Sequence, residues 1–234
     1  MPLLPGQRRG TRVVRADDRD RGPTMSRNRL GSWSALAVFL IGVAYFVTLA
    51  IGFAVHGLTE PIVGPILAVM EVLTLLSAPL MVVVMAAIHD YASVNHKIYG
   101  SIALAFTILF VGMTSVVHFV ELTALRQLGS GGIVWPSPEY AVELLAWNLF
   151  LGLALLSAAQ VFDTGGPERS VRRGLLISGA LCVAGIIGPS VGNMRLQLVG
   201  VLGYAVVLPV VCLMLARLFR SNWAIVTITP PDER

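Results

Sequence analysis

Glu71 places a carboxylate where hydrocarbon is expected. It lies about ten residues into the apolar stretch from Pro61 to Ile88, and a charge inside a bilayer costs roughly 2.5–3.5 kcal/mol on insertion scales. Such a group is paired, protonated or put to use, and the sequence supplies His118, Arg126 and Arg195 as partners. Two further chemistries are written nearby. Thr114, His118 and Glu121 fall within about 60° of one another on a helix advancing 100° per residue, so they share one face. A histidine and a carboxylate three apart hold a metal ion between them or hydrogen-bond to each other. His56, His118 and Glu121 form the candidate ligand set, for a metal or for axial haem ligation.

These groups gather at one side. On the orientation argued below, His56, Glu60, Glu71, His118, Glu121, Arg126, Glu143, Asn148 and Arg195 all belong to the outer half or the outer loops. Glu71, His118, Glu121, Arg126, Glu143 and Asn148 are therefore expected to outline an outward pocket, with Glu143 solvated by headgroups and Asn148 bridging helices by hydrogen bonds. The loop from Gly129 to Glu139 carries glycines, then Ile133, Val134 and Trp135; it reads as a segment seated at the membrane, or as a lid. On the inner side, His89, Asp90 and His96, and Asp163 with Glu168, read as polar turns rather than cation sites.

The elements that position these groups follow from composition. With 56% hydrophobic and 13% charged residues the chain is a membrane protein. Six stretches, near 33–55, 62–88, 98–120, 140–162, 174–192 and 198–219, are long enough to cross about 30 Å of hydrocarbon. The expected fold is all-α, a polytopic bundle of six transmembrane helices. With both termini cytoplasmic, fifteen of the 17 Lys and Arg lie inside and only Arg126 and Arg195 outside, as the positive-inside rule requires. Trp33, Tyr91, Tyr99 and Trp223 then mark the inner interface, and Trp135 with Tyr140 the outer one. Residues 1–32 read as a disordered Arg-rich arm with Met25 as a second possible start, 33–219 as the membrane domain and 220–234 as a cytoplasmic tail.

The net charge of +4 lies in tails and loops flanking spans and gives no nucleic-acid footprint. Cys182 and Cys212, each inside an apolar segment, read as packing residues. In the fifth span Gly174, Ser178, Cys182, Gly185, Pro189 and Gly192 recur at steps of three and four, a narrow face suited to close helix contact. The Gly174/Ser178/Cys182/Gly185 part of it is a candidate surface for a second copy or a partner membrane protein. Pro79 and Pro209 should bend their spans. No phosphate loop, nucleophile elbow, His-Glu-x-x-His, Cys-x-x-Cys, voltage-sensor arginines or selectivity filter is present, and no internal repeat survives comparison of registers.

Trp147-Asn148-Leu149-Phe150 with Gly152, Arg173-Gly174-Leu175, and Gly200, Gly203 and Tyr204, set in six spans, resemble the pattern of small, uncharacterised bacterial six-helix membrane proteins. The resemblance implies a bacterial inner-membrane location and no activity or cofactor. Three functions follow from the residues: first an accessory or regulatory membrane subunit whose polar groups serve packing; second a small proton- or cation-coupled transporter in which Glu71 changes protonation; third a metal or haem protein using His56, His118 and the carboxylates.

Overall fold

The structure is a computed structural model that describes the backbone of residues 21–58, 60–129 and 134–228 and, within them, the side chains of 29–58, 60–129 and 134–221. Most of the expected arm, the glycine-rich part of the 129–139 loop and the last six residues lie outside the described residues. Among those described the fold is all-helical, with six helices long and apolar enough to cross a membrane: α1 Arg29–His56, α2 Gly64–Tyr91, α3 Val94–Leu125, α4 Pro138–Ala159, α5 Gly166–Ser190 and α6 Met194–Ser221. Helical backbone precedes α1 from Arg21 and continues α6 to Ile228, so helix enters the segment expected to be an arm; Pro23 stands in the first turn, where a missing N–H costs nothing.

Short connections make neighbours in sequence neighbours in space. Each helix packs on the one before it and the one after it, and α6 closes on α1, so the six form a ring. Ser32 ties this closure by donating to the carbonyl of Ala216 at 2.9 Å. Helical periodicity turns one stripe of each span inward. On α2 this stripe is Glu71, Thr74, Ala78, Met81, Met85 and Ile88, and on α3 it runs Ala103, Thr107, Phe110, Thr114, Val117 and Glu121, steps of three and four residues. Leu40, Val43, Val47, Ile51 and Val55 of α1 point the other way and are exposed, the apolar surface that lipid would cover.

Small residues set the closest seam, between α5 and α6. Ser178 Oγ donates to the carbonyl of Gly203 at 2.8 Å, and a Cβ on Gly203 would stand 2.8 Å from Ser178 O and 3.0 Å from Cys182 N. Gly185 meets Gly200, and Gly174 meets Val211. The small-residue face expected to receive a partner is thus covered by α6 of the same chain, because hydrocarbon gives helices no reason to approach except dispersion and backbone contact.

Three helices depart from α geometry. π-helical turns occupy Glu121–Leu125 at the end of α3, Leu145–Phe150 within α4 and Leu202–Val207 within α6; such turns are rare and frequent at functional sites. Pro209 follows the last of them, and its Cγ lies 2.7 Å from where a Cβ on Gly42 would be. The proline packs against α1 through a site only glycine leaves open.

At the end of the bundle shared by the 92–93 and 160–165 connections the polar side chains are consumed in holding helices. Lys97 Nζ donates to the carbonyls of His89 at 2.7 Å and Asp90 at 3.1 Å, capping α2. Arg172 donates to the carbonyls of Ala159 and Phe162 and to Gln160 Oε1. Tyr91, expected in an interfacial belt, turns inward instead: its ring packs on Phe162 and Phe219, and its hydroxyl donates to Glu168.

Candidate functional site

The opposite end of the bundle, where the 57–63, 126–137 and 191–193 connections lie, holds a partly open cavity of about 360 Å³. Loop residues Leu58, Glu60, Pro61, Val134 and Trp135 form part of its wall together with side chains of α1, α2, α3, α4 and α6. Its polar groups are Glu60, Glu71, His118, Glu143 and Gln197, and six aromatic residues line it: Tyr45, Phe53, Trp135, Tyr140, Trp147 and Tyr204. Among the described residues neither lysine nor arginine contributes to the wall.

α2 delivers Glu71 to this cavity because the residue falls on the helix's inward stripe. It is 2% exposed. Among the described residues it makes no hydrogen bond and no ion pair, with His118, Arg126, Arg195 or any other group. The partners expected for it are engaged elsewhere or too far out: Arg126 and Arg195 are exposed, although Glu71 lies within electrostatic range of Arg126, Glu121, His118 and Glu143.

α3 and α4 build the second polar feature between them. His118 Nε2 lies 2.9 Å from Glu143 Oε1, close enough for an ion pair when the imidazole is protonated, at an angle outside hydrogen-bond geometry. Thr114 Oγ1 donates to the same Glu143 oxygen at 2.9 Å, and Trp147 Nε1 donates both to it and to Thr114 Oγ1, the latter at 3.0 Å. One turn separates Thr114 from His118, and one turn Glu143 from Trp147, so two facing helices each present an i, i+4 pair. Glu143 Oε1 is fully engaged while Oε2 is buried without a partner. Glu143, expected among headgroups, is instead half-buried in a network.

The shared face of Thr114, His118 and Glu121 is present on α3, but His118 pairs across to α4 and not with Glu121. Glu121 is 4% exposed and opens the π turn, outside the cavity wall. His56 also lies outside the wall, with Nε2 buried and unpartnered. Among the described residues no three His, Cys, Asp or Glu side chains converge to hold a metal ion. Asn148 is fully buried with both amide atoms unpartnered; its Oδ1 lies against Gly185 and Gly200, at the α4–α5–α6 seam rather than in the pocket.

The aromatic residues are what sequence reasoning missed. Trp135 and Tyr140, assigned to an interfacial belt, have ring centroids 6.3 Å apart and line the cavity. Tyr45, Trp147 and Tyr204 were given no role. Trp147 and Tyr204 sit on the two π turns of α4 and α6 with centroids 4.7 Å apart. Beneath them is a second, smaller space of about 50 Å³ lined by Thr74, Ser77, Phe110 and Pro209 among others. Tyr45, Trp147 and Tyr204 border both spaces, so they form the partition between them. The Glu143–Trp147 spacing was the one readable sign.

Comparison with protein-family models, with curated proteins and with solved structures finds no match.

Proposed function

We propose that the protein is a small membrane carrier for a cation, with Glu71 as the group that binds the cation or a proton in exchange. The reading rests on one observation: a carboxylate 2% exposed, without a protein partner, faces a cavity of about 360 Å³ inside the apolar part of the bundle. Leaving a charge there uncompensated is expensive, and a group kept for packing alone would be expected to find a hydrogen bond. The accessory reading, in which polar residues serve packing, accounts for Ser178, which bonds the carbonyl of Gly203, and leaves Glu71 unexplained. A second space below the aromatic partition supports a path that continues inward.

The cavity opens, on this proposal, toward the outside of a bacterial inner membrane, with both termini cytoplasmic. The concentration of Lys and Arg at the other end supports that orientation. The lipid bilayer is the protein's constant partner, and the covered α5 face supports a carrier that works without a second copy seated there.

The test uses proteoliposomes containing a pH-sensitive dye. Gradients of sodium, potassium, calcium and substituted-ammonium chlorides are imposed one at a time on the unmodified chain and on Glu71→Gln. A cation-driven pH change that disappears in Glu71→Gln while the variant purifies normally supports the carrier. Identical, empty traces across all cations overturn it and return the accessory reading to first place.

A further inference from the structure

We propose that the ligand is an organic monocation, an ammonium carrying alkyl or aryl groups, held in the large cavity by Glu71 for its charge and by aromatic faces for its substituents. The proposal rests on the carrier reading and names its substrate class.

Three features of the wall select that class. The first is sign. Among the described residues of the wall, Glu60, Glu71 and Glu143 are the acidic groups and His118 the one basic group, and it is already set against Glu143 Oε1. With His118 set against Glu143, Glu71 is left without a cation in contact among the described residues, and when ionised in a buried site it strongly attracts a single opposite charge. Arg126, just past the end of α3, is exposed and outside the wall, so it does not fill this role.

The second feature argues against a bare metal ion. A divalent metal takes six or more oxygen ligands, or four from nitrogen and sulfur, and among the described residues no three such side chains converge. Glu71 offers a single negative charge rather than a coordination shell. A large, weakly hydrated cation asks for nothing more.

The third feature is the aromatic lining. Tyr45, Phe53, Trp135, Tyr140, Trp147 and Tyr204 surround the carboxylates, and ring faces attract alkylammonium groups while accepting their apolar surface. An inorganic ion gains little from six aromatic walls, and a neutral apolar ligand gains nothing from Glu71. The volume, near the lower end of small-molecule sites at about 300–1,000 Å³, suits one ring with an ammonium head.

The experiment compares phenyltrimethylammonium with tert-butylbenzene, its neutral isostere, and with sodium, potassium and calcium chlorides, by calorimetric titration of the full chain in detergent. The expected result is saturable binding of phenyltrimethylammonium, at least tenfold tighter than tert-butylbenzene after subtraction of micelle partitioning, weakened tenfold or more in Glu71→Gln and severalfold in Trp135→Leu. Should Glu71→Gln fail to fold, the cation-to-isostere ratio on the unmodified chain and the Trp135→Leu effect decide. Equal binding of cation and isostere overturns the proposal, as does cation binding indifferent to both substitutions. Glu71-dependent pH changes driven by inorganic cations, with no phenyltrimethylammonium binding, overturn the substrate class and leave the carrier standing.

Discussion

Removing His118 should damage the protein more than removing the charge it faces. In His118→Leu the Glu143 carboxylate keeps its hydrogen bonds from Thr114 and Trp147 but loses the imidazole that stands 2.9 Å away. Breaking one side of a buried pair costs about 3–5 kcal/mol. The side chains here are 16% and 13% exposed, so a discounted loss of about 2–4 kcal/mol is expected. Glu143→Gln behaves differently. The amide oxygen still accepts from Thr114 and Trp147, and the desolvation penalty of the carboxylate disappears with its charge, so the loss should be about 1 kcal/mol or less. The double variant His118→Leu/Glu143→Gln should recover much of the single-variant loss, giving a coupling energy of about 1–3 kcal/mol. Thermal or detergent-titrated unfolding of the purified chain at neutral pH measures all four proteins; for a chain of this size about 1 kcal/mol moves Tm by roughly 2–4 °C. If His118→Leu is no less stable than Glu143→Gln, or the two effects simply add, the α3–α4 contact is not an ion pair and the argument fails.

Three further outcomes test the packing that holds the site. Gly203→Ala should destabilise by about 1–3 kcal/mol, because its Cβ would meet backbone atoms Ser178 O and Cys182 N, whereas Gly112→Ala, with nothing within 4 Å, should be neutral or gain up to about 1 kcal/mol from helix propensity; unfolding midpoints of the two variants compare them directly. Tyr91→Phe should cost about 1–3 kcal/mol through loss of its hydrogen bond to Glu168, its ring packing being kept, and the same melts read it. Arg172→Met should loosen the α4–α5 turn, where its guanidinium serves two carbonyls and Gln160, and hydrogen exchange at residues 159–165 should rise relative to the unmodified chain.

The six helices were legible because each needs only its own composition and length, and their bounds differ from expectation mainly where polar residues continue a helix, as in Gly166–Arg173 of α5. The inward placement of Glu71 and the shared face of Thr114 and His118 were equally local, since they depend on periodicity within one helix. The cross-helix pair was not legible. Whether His118 meets Glu121 or Glu143 depends on how α4 is rotated against α3, and that rotation is decided by packing and by a π turn from Leu145 that hydropathy does not mark. Tyr45 and Tyr204 were hidden for the same reason: an aromatic residue in an apolar span reads as lipid-facing until the closure of α6 on α1 brings the two toward the same cavity. The small-residue face of α5 meets α6 of the same chain, and spacing along one helix does not choose its occupant.

The central claim, that Glu71 faces an open cavity and not a packed interface, is tested by the reactivity of a cysteine in its place. Cys182 and Cys212 are fully buried, so Glu71→Cys carries the reactive thiol against a quiet background, and Ala78→Cys, 1% exposed on the same stripe of α2 but outside both cavities, is the matched control. The account predicts that a trimethylammonium-bearing methanethiosulfonate modifies Glu71→Cys faster than its sulfonate counterpart, that phenyltrimethylammonium slows the reaction, and that Ala78→Cys stays unmodified. A Glu71→Cys thiol as inert as that of Ala78→Cys, in a variant that folds normally, would contradict it.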